Sequence, residues 1–123
     1  MNSEALKRQF RANYGIDFPA PADSFNDFLG MSKSGELCQR LGNVHLVNFE
    51  SPAEPKWIGK LIPFMWQPHP KFNDFYCFDT ENGKDGNRRI SVFSIHTTVH
   101  GWSDFEGFLQ WVRLQSHNLS AGG

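Results

Sequence analysis

The runs FNDFYCFD at 72–79 and RISVFSIH at 89–96 flank the segment TENGKDGNR at 80–88, and reading the three together decides the fold. The first run is almost continuously apolar, as in a strand buried on both faces. The second alternates, with Ile90 and Val92 facing one way and Phe93 and Ile95 the other. Between them, Asn82-Gly83 and Asp85-Gly86 are turn residues able to take positive φ. The reading is a β-hairpin with a long tip.

Working outward, the run WIGKLIPFMW at 57–66 is apolar but broken by Gly59 and Pro63, and the proline places any strand there at an edge or an end. SPAEPK at 51–56 reads as a turn. From Leu37 to Glu50 the period becomes strand-like, as Val44, Leu46 and Asn48 alternate with His45, Val47 and Phe49. At the amino end, Leu6, Phe10 and Tyr14 recur every four residues, predicting a helix from Ser3 to Asn13 that Gly15 ends. Lys7, Arg8 and Arg11 then lie on its wet side. A second short helix over 21–29 opens at Pro21, carries Asp23 in its first turn, buries Phe25, Phe28 and Leu29, and stops at Gly30. At the carboxyl end, Ser103 and Glu106 have the spacing of a capping box, and Phe105, Phe108, Leu109 and Val112 form the inward stripe of a helix from about Asp104 to Gln115. Helices at both ends of a run of strands make the class α+β.

Composition excludes more than it names. The chain of 123 residues has 12 basic and 13 acidic side chains and a net charge of −1, which gives no field for a nucleic-acid backbone. No apolar run approaches the ~20 residues of a membrane span, and the amino end lacks the apolar core of a signal peptide, so a cytoplasmic protein is expected. Cys38 and Cys77 are too few for a disulfide framework. Twelve Phe, four Trp and two Tyr exclude disorder and exceed what one small core hides easily.

Catalytic chemistry finds little support. His96 and His100 enclose HTTVH, which lacks the glutamate of a zinc-protease helix and whose β-branched middle favours a strand. Extended, it would hold the two rings ~13 Å apart, too far for one zinc ion. The carboxylates at 79, 81 and 85 suggest a calcium loop, but its twelfth position is Ile90 rather than glutamate. Cys77, among aromatics, reads as a small buried hydrophobe, and Cys38 as the start of a strand. No nucleophile elbow or phosphate-binding glycine loop is present. The aromatics remain, with Trp57, Trp66 and Trp102 at element ends where full burial is hardest.

The order of elements resembles the SUKH superfamily of bacterial immunity proteins, related to the yeast cell-wall assembly regulator. A short helix precedes FPAPADSFNDFLG; the IPF element (Ile62, Pro63, Phe64), the FYCFDT strand, a turn with Asp85-Gly86, RISVFSIH and the closing FEGFLQWV follow in order. The likeness spans about residues 4–115, with Phe18-Pro19 where the family usually has Leu-Pro. It implies a single domain over 1–118 with a tail at 119–123, and a bent, mostly antiparallel sheet with N-terminal helices and a C-terminal helix packed around it. It further implies an immunity protein that captures a cognate toxin one-to-one, with no cofactor, no metal and no catalysis. The alternatives are a regulatory adaptor that binds other proteins and, third, a hydrolase using His96 or His100. Expected anchors are Trp66, Phe72 and Trp102, with Asp74, Asp79 and Arg88 as polar partners.

Overall fold

Leu6 and Phe10 repeat at one helical turn and are both buried, which fixes the first helix, α1 (Ser3–Tyr14), against the core. The computed structural model describes residues 3–47, 56–95 and 97–115. Gly15 follows α1 with φ +74. The second helix, α2 (Ala22–Ser34), starts after Pro21 as expected but runs straight through Gly30. Its apolar face continues Phe25, Phe28, Met31, and burying Met31 offsets the ~1 kcal/mol that a mid-helix glycine costs. The stop is Gly35, whose φ of 86 supplies the left-handed end.

The stretch from Leu37, expected to be strand, begins instead as a helix. Glu36–Leu41 is a third helix, α3, with Leu37 buried and Arg40 bonded to Glu36 at 2.7 Å. Arg40 also donates to the Arg113 and Gln115 carbonyls at the end of the last helix (2.8 and 3.1 Å). A cation suits that negative end of the dipole, so a long-range contact holds a segment whose local pattern was ambiguous. Among the described residues of this stretch, His45–Leu46 is strand, β1. The turn expected at 51–56 lies mostly outside the described residues, as do Asn48, Phe49 and Glu50, His96 and the tail at 119–123.

β2 (Leu61–Pro68), β3 (Asn73–Lys84), β4 (Asn87–Ser94) and β5 (Thr97–Trp102) follow, and the five strands form one antiparallel sheet in chain order. Pro63 is the third residue of β2 and pairs with Cys77 of β3. Among the described residues β1 pairs with Met65 and Trp66, and the register between β2 and β3 shifts between Pro63 and Met65, a bulge that accommodates the missing N–H. The hairpin tip is shorter than expected. Lys84 pairs with Asn87, leaving Asp85-Gly86 as a two-residue turn. Residues 79–82 fold into a bulge, because the Asp79 carboxylate accepts the Glu81 and Asn82 backbone N–H groups (2.8 and 3.1 Å). A further register shift lies between Ile90 and Val92, and bulges of this kind bend a sheet.

The last helix, α4 (Phe105–Leu114), buries Phe105, Phe108, Leu109 and Val112 as its stripe requires. Its cap differs from expectation. The Asp104 carboxylate, not the Ser103 hydroxyl, accepts the Gly107 N–H at 2.9 Å, and Glu106 instead accepts the hydroxyl of buried Ser24 on α2. All four helices share one core with Ile62, Phe64, Met65, Tyr76, Phe78, Ile90 and Val92. At its centre Phe25, Phe28, Phe64, Phe78, Phe105 and Phe108 are fully buried. Their neighbouring rings lie 4.7–6.0 Å apart, many of them edge-to-face. Such pairs add about 0.5–1.5 kcal/mol each beyond burial.

Candidate functional site

Side chains alternate across a strand, so the partners of the core residues face the other way. Trp66 on β2 pairs with Phe75 on β3, which pairs with Phe93 on β4, which pairs with Thr98 on β5; on the other side Trp66 pairs with His45 on β1. One cross-strand row therefore runs His45, Trp66, Phe75, Phe93, Thr98 over the face opposite the helices. The His45 and Trp66 rings stack at 4.8 Å, and Trp66 and Phe75 lie near-parallel at 6.5 Å. His45 and Thr98 are exposed and the three aromatics half-buried; none of those three belongs to the helix-side core. Deeper on this face lie Leu61, Pro63, Cys77 and Ser91, all buried. Burial pushes the Cys77 thiol up to about 12, so it holds its proton at neutral pH.

Two hairpin loops end the sheet beside this row. In the β2–β3 loop the Phe72 ring stacks on His69 at 4.6 Å, and the His69 N–H closes the turn onto the Phe72 carbonyl. His69 Nε2 meets Asp74 Oδ2 at 2.9 Å, while the buried Asp74 Oδ1 has no hydrogen-bond partner among the described residues. Next to Asp74, Tyr76 is raised to about 12, first by burial and then by the Asp74 charge. In the β4–β5 connection Ile95 is 63% exposed and holds φ +48, a left-handed conformation unusual for a β-branched residue. The chain thus turns at Ile95, and His100 falls on β5.

The expected anchors divide among three places. Trp66, Phe72 and Asp74 share the end of the sheet with the exposed row. Asp79 and Arg88 sit toward the other end, where Asp79 holds the bulge and Arg88 bonds Asp85 at 2.5 Å. Trp102 packs on Phe108 (5.2 Å) and Trp111 (4.9 Å) at the core rim. Trp57 rests edge-on against Tyr14 at 5.3 Å. Sequence reasoning missed Phe75 and Phe93 because a continuously apolar strand reads as buried on both sides; the alternation of β4 did place Phe93 opposite Ile90 and Val92. Cys38 lies exposed on α3, its Sγ 3.6 Å from the Val44 carbonyl, and both thiols are free.

No described helix is long and apolar enough to cross a membrane. No family model, curated protein or solved structure matches the chain.

Proposed function

We propose that this chain is an immunity protein that captures a cognate toxin domain one-to-one through the aromatic row of its sheet. The observation that carries the reading is the half-exposed succession Trp66, Phe75 and Phe93, with exposed Phe72 and Ile95 at the same end. Four strands at ~4.8 Å spacing make the row from His45 to Phe93 about 14 Å long, the scale of the anchored centre of a protein interface rather than of a single side-chain contact. Exposed His45 and Thr98 supply polar groups at the two ends of the row, the rim that such an interface needs. The resemblance to the SUKH immunity proteins supports the same reading, with a bacterial cytoplasm as the place of action and no cofactor or turnover involved. An adaptor that holds other proteins would use the same face with lower affinity.

Co-expression with the product of the reading frame directly upstream tests this. Growth rescue and a one-to-one complex on a sizing column are expected. Trp66→Ala weakens that complex by about 2 kcal/mol or more, near thirtyfold, with the fold intact. Trp102→Ala lowers folding stability instead, because its ring packs on α4. A change below ~0.5 kcal/mol at Trp66 removes the row from the interface. A harmless neighbour with no complex favours the adaptor.

A further inference from the structure

Lys7, Arg8 and Arg11 on α1 line a groove of about 420 Å³ whose other walls are Asp17, Phe18, Ala20, Pro21, Ala22 and Gly86 of the β3–β4 tip. The Arg88 N–H donates to the Pro19 carbonyl at 2.7 Å, holding the tip against the segment between α1 and α2. The groove is therefore built from three separate parts of the chain. Three cations face one carboxylate there, a local surplus of two in a chain of net charge −1. Arg11 pairs with Asp17, whereas Lys7 and Arg8, both exposed, have no ion-pair partner among the described residues. The groove also meets the start of α2, which has no side-chain cap and whose first-turn acid is Asp23.

We infer that this groove docks an acidic stretch of polypeptide, with alternate carboxylates on Lys7 and Arg11 and the intervening chain against Phe18, Ala20 and Pro21. Lys7 and Arg11 are one helical turn apart, ~6 Å along the axis, and side chains at i and i+2 of an extended chain are ~6.6 Å apart. An apolar wall without serine, threonine or a glycine-rich loop suits peptide better than phosphate. The site is distinct from the aromatic row, so its failure leaves the reading of the sheet face standing.

The test is an amide-shift titration of the ¹⁵N-labelled protein with a blocked Glu-Ala-Glu-Ala-Glu peptide at low salt. Saturable shifts at Lys7, Arg11, Ala22 and Gly86 are expected, with binding at least fivefold weaker in the Lys7→Gln, Arg11→Gln double variant. Both side chains are exposed, so the variant keeps its fold, checked by its unshifted core amides. Lys33→Gln, at the far end of α2, leaves binding unchanged. Shifts that do not saturate, that persist in the double variant, or that the Gln-Ala-Gln-Ala-Gln peptide reproduces would overturn the proposal. Tighter binding of inorganic phosphate at the same amides would overturn it in favour of a phosphate ligand.

Discussion

Gly30 and Gly101 show how one residue type carries opposite constraints. Gly30 is exposed in the interior of α2 with open space where a Cβ would go. Gly30→Ala should raise stability by about 1 kcal/mol, the ordinary helix-propensity gain. At Gly101 an added Cβ would lie 1.8 Å from the Ile90 carbonyl oxygen and 2.7 Å from its carbon, both backbone atoms of β4. Gly101→Ala must push β5 off β4 and should cost about 3 kcal/mol or more, at or above the upper end of overpacking penalties. Denaturant melts of the two variants check both signs. Neither glycine announces its role in the sequence: Gly30 resembles a helix stop, and Gly101 stands beside a tryptophan with nothing to mark the close approach of another strand.

At the scale of the element, α4 turns on which of two adjacent capping residues is used. Ser103 and Asp104 both qualify chemically, and the sequence pattern favours Ser103 because Glu106 follows at the capping-box distance. The structure uses Asp104, because Glu106 is drawn to Ser24 on α2 and cannot reach back to the cap. Asp104→Ala should therefore lose about 1 kcal/mol of stability, while Ser103→Ala leaves the melting temperature within error. The existence of α4, its apolar stripe and nearly its ends were legible; its cap depended on a contact with another helix. Likewise α3 was hidden because six residues between two glycines fit either period, and Arg40 binding the end of α4 decides the matter.

For the whole molecule, the sheet separates two environments, and β3 passes between them. Tyr76 on the helix side and Cys77 on the other are both raised to about 12, in each case first by burial, and Tyr14 is raised for the same reason. Each keeps its proton in the folded chain at pH values where the unfolded chain has released it. The stability this represents is complete below about pH 9, the ordinary value of the thiol, and is lost as pH rises towards 12. Urea midpoints should be flat across this effect up to about pH 8.5 and fall steadily above it. Cys77→Ala removes the earliest part of the fall, which then begins near pH 10, the ordinary value of the tyrosines.

The sequence by itself determined the α+β class, the terminal helices, the central hairpin and the aromatic surplus, because periodicity and turn chemistry act between neighbours a few residues apart. It also marked Trp57, Trp66 and Trp102 as rings at element ends where full burial is hardest, and in the fold Trp57 is exposed while Trp66 and Trp102 are half-buried. Tertiary structure alone decided where α2 stops, that Glu36–Leu41 is a helix, and how the bulges at Pro63 and Asp79 bend the ladder. Only the strand register aligned His45, Trp66, Phe75 and Phe93 into one row, and only the docking of the hairpin tip on Pro19 closed the basic groove. These features join residues far apart in the chain, and their geometry follows from packing and pairing that no local pattern encodes.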